Sequence, residues 1–250
     1  MVQQAEVRSV AVPYLPAIQI ECEAESLLVA FGRRFLPIVE PPVPAAAIAR
    51  ELLGLRIEAN NLKRTFANAD VHGAIWFRDR RIAVDHEIDP QRSPANGARF
   101  RFTLAHEIGH WRLHRRWFLP QTNDHQSQDC DLALPDVVCR SGHRATPIEW
   151  QADQFASLLL IPRKMLLPTW TAFRAGDSSP VDVRDLLQPP PAAQRLRRIE
   201  HRFVNERQHE RAAMEHFCRP LADRFGVSAQ AMRIRLESLG LFVRKRRATP

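Results

Sequence analysis

Apolar residues recur along this chain at two spacings, and the change from one to the other marks its elements. Between residues 19 and 39, Ile20, Ala24, Leu27, Leu28 and Phe31 fall three or four apart, the stripe of an amphipathic helix. The proline-rich run around Pro41–Pro44 breaks that pattern. Ala45 to Leu55 then reads as a short helix, with Ile48, Leu52 and Leu53 apolar and Gly54 near its end. Two β-like runs follow, Val71–Phe77 and Arg81–Val84, split by the charged turn Arg78-Asp79-Arg80; together they predict a small sheet. From Phe100 to His114 the helical period returns, with Phe102, Leu104, Ala105, Ile108 and Trp111 placed for burial. Ser93-Pro94 offers this helix an N-cap and a first-turn proline. A second buried helix runs from Glu149 into Ser157-Leu158-Leu159-Leu160-Ile161, with Thr146-Pro147 near its start and Pro162 at its stop.

The polar stretch Pro120 to Pro147 between these two helices is long for a loop in a compact domain, and we assign it to the rim of a cleft. It holds His125, Cys130, Cys139 and His143, whose spacings match no zinc-knuckle pattern, so a second metal site there is not favoured; a thiol from it as an inhibitory ligand at a metal site elsewhere in the chain stays open, with nothing in the sequence to select it.

Composition changes the picture mainly through the distribution of charge. The net charge is +8, yet basic and acidic residues balance up to the Pro189-Pro190-Pro191 triplet, so the whole excess lies beyond it. A neutral half followed by a basic half predicts two parts: residues 1–188, with a core at about 20–165, and residues 189–250. In the second part, Ala192 to Cys218 reads as a long helix of mixed charge. Leu221-Ala222-Asp223-Arg224-Phe225-Gly226-Val227-Ser228 and the following Ala229–Gly240 have a helix-turn-helix pattern at 219–240: Gly226 for the turn, Ser228 as N-cap, Gly240 as stop, and Leu221, Phe225, Val227, Ala231, Ile234, Leu236 and Leu239 as apolar positions. Four scattered cysteines suggest reduced thiols. With no apolar run of membrane-spanning length and a polar N-terminus lacking a signal core, no membrane partner and a cytoplasmic location are expected.

The chemistry is concentrated in His106-Glu107-Ile108-Gly109-His110. Histidines four apart on a helix share a face and can reach one metal ion, and a glutamate beside the first can take a proton from a water on that ion. A zinc ion so held polarises a scissile carbonyl and makes hydroxide available near neutral pH. Catalytic zinc takes three protein ligands and keeps one position for water. Glu149 and Asp153, four apart on the second helix, share a face: one can bind the metal while the other accepts a ring N–H and fixes a histidine's tautomer. We assign Glu149 as the third ligand and Asp153 as that acceptor, with Glu107 as general base and one zinc ion as the cofactor. Manganese can occupy such a set, but two imidazoles and a carboxylate most often mean zinc.

Taken together, A-H-E-I-G-H-W-R-L-H and I-E-W-Q-A-D-Q-F-A-S-L-L-L-I-P resemble the ImmA/IrrE family of zinc metallo-endopeptidases over most of residues 20–165. The resemblance implies an α+β fold: a zincin-like, gluzincin-type helical domain with a small sheet, followed by a helix-turn-helix-like module. It implies zinc on His106, His110 and Glu149, Glu107 as general base, and a helix-turn-helix repressor as protein substrate. Zinc peptidases of this shape bind the substrate backbone along an edge strand; Val71–Phe77 is our candidate, an interior place for it being equally open. Many also steady the oxyanion with a tyrosine or histidine. The single tyrosine, Tyr14, lies far upstream, so the donor is sought among His72, His114, His143 and the arginines, and the position stays open.

Two rival functions are kept. One is a DNA-binding regulator with a structural or sensing zinc, in which Gln230, Arg233 and Arg244–Arg247 touch DNA. Packing or substrate docking is the favoured use of that helix pair, because similar stretches recur in ImmA/IrrE-like chains. The other rival is a zinc hydrolase acting on a non-protein amide.

Overall fold

The helix Gly97–Leu113 is the element around which the N-terminal part of the computed structural model is built. Residues 11–67, 70–92, 94–119, 135–140, 146–187 and 206–244 are described. The chain is α+β, mostly helical with a small sheet, and divides into two units, Met1–Pro162 and Arg163–Pro250. The division falls earlier than Pro189, so the helix after Pro162 belongs with the C-terminal unit.

In the first unit, α1 (Ala17–Arg34) buries Ile20, Ala24, Leu27 and Phe31, the expected stripe. Fully burying such side chains stabilises by about 1.5–3 kcal/mol each. The short helix predicted over 45–55 forms over 45–52, closing as a π-turn. Four strands make one sheet: β1 (Arg56–Asn60), β2 (Val71–Trp76), β3 (Arg81–Asp85) and β4 (Val137–Arg140), in the order β1-β3-β2-β4. β1 runs parallel to β3; β3 and β4 are antiparallel to β2. Val71–Phe77 is therefore interior, and β4, which arises from the stretch assigned to a loop, ends the order. β1 carries no apolar alternation to announce it.

Strand alternation sorts the sheet into two faces. Ala74, Trp76, Ala83 and Val138 join Leu62 and Val71 in one apolar cluster. Gly73, Ile75, Ile82, Val84 and Cys139 take the other face through the pairs Gly73↔Val84, Ile75↔Ile82 and Gly73↔Cys139. A register shift between Val71 and Gly73 puts a bulge in β2.

α2 (Gly97–Leu113) buries every residue from Thr103 to Trp111. It starts after a turn at Pro94–Asn96; the candidate cap Ser93 lies outside the described residues. α3 (Pro147–Leu160) starts as expected, with Thr146 at the cap and proline in its first turn. Close approach of α2 to α3 depends on Gly109. A Cβ there would lie 3.2 Å from the Ala152 Cα and 3.2 Å from the Phe155 Cβ.

In the second unit, α4 (Arg163–Phe173) carries Trp170, which meets Phe173, Phe217 and Phe242 at ring separations of 6.2–6.4 Å. Two short strands, β5 (Val181–Asp182) and β6 (Phe242–Val243), pair in parallel. α5 (Glu206–Phe225) and α6 (Ala229–Ser238) are joined through Gly226 at φ 64°, and Ser228 caps α6 by accepting from the Ala231 N–H at 3.1 Å. The predicted helix over 192–218 lies partly outside the described residues. The inward face of α6 differs from expectation: Met232 and Leu236 are buried and Ile234 is 39% exposed. Arg233, a candidate for nucleic-acid contact, is buried, and its guanidinium donates to Glu215 at 3.0 Å and Glu237 at 2.6 Å. Gln230 is exposed, while Lys245–Arg247 lie outside the described residues.

Gly109→Val forces two extra methyls and a Cβ into the α2–α3 contact. It should lower stability by about 1–3 kcal/mol, read as a drop in the thermal midpoint.

Candidate metal centre

The site is made where α2 lies between α3 and the sheet, and it begins with two histidines whose other ring nitrogens are already committed. His106 Nδ1 lies 3.0 Å from the Asp153 Oδ1. A carboxylate can accept but not donate, so His106 carries its proton on Nδ1 and turns the Nε2 lone pair inward. His110 reaches the same state through a longer chain, which starts at a backbone carbonyl. Gln151 Nε2 donates to the Pro13 carbonyl at 2.9 Å, which fixes the amide and leaves Oε1 as acceptor. His114 Nε2 therefore donates to that oxygen at 3.1 Å. Burial first, and then the charge of His110, push the His114 pKa down to about 3, so the ring is neutral and its Nδ1 accepts. His110 Nδ1 donates to it at 3.0 Å, and the His110 Nε2 lone pair faces inward like that of His106.

The two Nε2 atoms are 2.9 Å apart, and Glu149 Oε2 and Oε1 lie 3.2 Å and 3.4 Å from them. His106, His110 and Glu149 are thus brought together, with Asp153 behind His106. All the facing atoms are acceptors, and such a cluster needs a cation or a proton between its members. A tetrahedral ion with bonds of about 2.0–2.1 Å separates its donors by roughly 3.3 Å, so this donor set could hold a small divalent cation. Its electrostatics agree. Burial opposes charge on His106, but Cys139, Asp153 and Glu149 favour it and win, holding its pKa well above the ordinary value. Burial also works against the Glu149 carboxylate, yet hydrogen bonds from His106 and His110 outweigh it and hold its pKa below the usual range. Metal and protons compete for the same atoms.

Glu107 is the other unusual group. It is completely buried, and neither carboxylate oxygen has a hydrogen-bond partner. Burial raises its pKa to about 8; the charge of His106 opposes this, and the like charge of Glu149 adds a smaller upward push. It fits because β2 has no side chain above it: a Cβ on Gly73 would lie 2.4 Å from Glu107 Oε1 and 2.8 Å from Thr103 Cγ2. Cys139, paired with Gly73, shares that face. His106, Cys139 and Glu149 each offer a ligand atom, all within 4.8 Å of one another.

Sequence reasoning passed over two parts of this arrangement, Gln151 as the anchor of His114 and Gly73 as the gap for Glu107, both of which depend on pairings across the fold. It left open a thiol from the 120–147 stretch at the metal, but no local spacing singles out Cys139. Among the other candidates, His114 faces His110 rather than the cleft, and His72 accepts from Arg99 at 2.7 Å. Tyr14, 67% exposed, stacks on Trp150 at 5.7 Å, one residue past Glu149. His125, Cys130 and His143 lie outside the described residues, and Cys22, Cys139 and Cys218 are free thiols. No family model matches the chain, and no curated protein matches it in sequence.

Two outcomes are expected from this geometry. His114→Phe removes the acceptor for His110 Nδ1 and should weaken zinc binding about 10- to 100-fold in a chelator competition. Glu107 should also destabilise the metal-free protein at high pH. Its folded pKa of about 8 exceeds its unfolded value, so the favourable state is the protonated one, and stability is lost as pH rises from about 4.5 to about 8. Glu107→Gln does not ionise. In chelator-treated protein it should match wild type near pH 4.5 and exceed it by on the order of 1–3 kcal/mol near pH 8.5, as thermal unfolding across that range would reveal.

Proposed function

We propose that the chain is a zinc-dependent endopeptidase of the ImmA/IrrE kind, with a zincin-like domain and a C-terminal helix-turn-helix-like module. The observation that carries this reading is an unpartnered buried carboxylate, Glu107, beside a cluster of inward lone pairs from His106, His110 and Glu149. A purely structural ion would have no use for a base held at such cost.

In this reading His106, His110 and Glu149 hold the ion, and Asp153 and the His114–Gln151 pair keep the imidazoles aimed. When bound, zinc supplies a Lewis acid for a carbonyl and lowers the pKa of a water. Glu107 takes the proton of the attacking water on a carboxylate oxygen and hands it to the leaving amine. β4, the last strand in the order of the described sheet, is suited to pairing with an extended peptide, a role first assigned to Val71–Phe77. A helix-turn-helix repressor as substrate, and cytoplasmic action on it, rest on the family resemblance alone. No described helix is long and apolar enough to cross a membrane. DNA contact by α6 loses Arg233 and is not favoured.

Glu107→Gln should keep one equivalent of zinc and lose peptide hydrolysis by about 100-fold or more. Glu149→Ala should lose both metal and activity. Metal analysis and a peptide-cleavage assay on the same preparations separate the roles; hydrolysis undiminished in Glu107→Gln would sink the mechanism.

A further inference from the structure

We infer that Cys139 is a fourth protein ligand of this ion, and that with the thiolate bound the site is closed to the water that Glu107 would activate. The inference rests on the zinc reading above and adds to it a latent state. Three independent features of the fold point the thiol at the site. Cys139 is paired with Gly73, and residues directly paired across two strands project to the same face. That face is turned toward Glu107, because a side chain on Gly73 would run into its carboxylate. A ligand atom of Cys139 lies within 4.8 Å of ligand atoms of both His106 and Glu149.

The chemistry of the group is that of a metal donor. Thiolate is a strong zinc ligand, and two imidazoles, a carboxylate and a thiolate complete a four-coordinate set. On ligation the thiol releases its proton to solvent and a sulfur–metal bond forms, with no change of oxidation state. A closed set of four explains nothing about Glu107, whose buried and unpartnered carboxylate has a purpose only when one position takes water. Both features are satisfied if Cys139 is the donor that leaves. Unlike His106, His110 and Glu149, which sit on the two buried helices, Cys139 sits on a four-residue strand at the end of the sheet and is half-buried.

The test uses the full chain loaded with cobalt in place of zinc, as wild type, Cys139→Ser and Cys139→Ala. Wild type should show a near-ultraviolet thiolate-to-cobalt charge-transfer band that both variants lack while still holding one equivalent of cobalt. Zinc binding in the variants should weaken by about tenfold or more, and peptide hydrolysis should rise. Cobalt bound by wild type without the band overturns the inference and leaves the zinc-peptidase reading standing. Failure of wild type to bind either metal overturns both. Two variants of different polarity, each checked for an unchanged far-ultraviolet spectrum, guard against loss of fold being mistaken for loss of a ligand.

Discussion

Two imidazole nitrogens 2.9 Å apart, lone pair facing lone pair, are the constraint to which much of the first unit answers. Left to themselves, such atoms would turn away and find donors. They are prevented because each ring is held from behind, His106 by Asp153 and His110 by His114. The second tether is anchored on a main-chain carbonyl, at Pro13, which cannot change its hydrogen-bonding character with pH. Residues from before α1, from α2 and from α3 are therefore all needed to fix one nitrogen. The same residues make the site sensitive to packing changes at a distance, because a ring freed to rotate loses its aim before the fold is lost.

Close approach is the second requirement, and two glycines meet it on opposite sides of α2. Gly109 lets α3 come near enough to bring Glu149 and Asp153 to the histidines, while Gly73 leaves room in the sheet for the Glu107 carboxylate. Neither glycine is there for a turn; both spare the space of a Cβ. The bulge in β2 belongs to the same solution, since it lets Val71 join the cluster on the far face while Gly73 faces the helix.

What could be read from the chain followed the range of the interactions. The helices carrying His106, His110 and Glu149 announce themselves through a 3.6-residue period and local stop signals, and one turn of helix suffices to bring two histidines together. Asp153 was legible for the same reason, being four residues from Glu149. Gly73, Cys139 and Gln151 were not, because their roles come from strand pairing and from helix contact, which no local spacing encodes. β4 hid in a polar stretch whose length suggested a loop, and β1 has no apolar alternation. On α6 the periodic argument placed Ile234 inward and Arg233 outward. The fold reverses them because Glu215 on α5 and Glu237 on α6 give the arginine two charged partners, which offset the cost of burying it.

Glu107 shows most plainly what the arrangement is for. An ionised carboxylate without a partner in a closed interior is unfavourable by itself, and natural cores rarely keep one. The neighbours do not make up for the burial: His106 favours the charge, but Glu149 opposes it and Gly73 opens space without offering a donor. A stability-driven sequence would place Gln or Leu at position 107. Keeping Glu there makes sense if a proton must come and go at that point while a cation sits among the lone pairs nearby. A cation held there, as proposed above, would draw Glu107 toward its charged form and relieve the facing acceptors. The facing acceptors and the buried carboxylate next to them pose one electrostatic problem, which a single divalent cation would resolve.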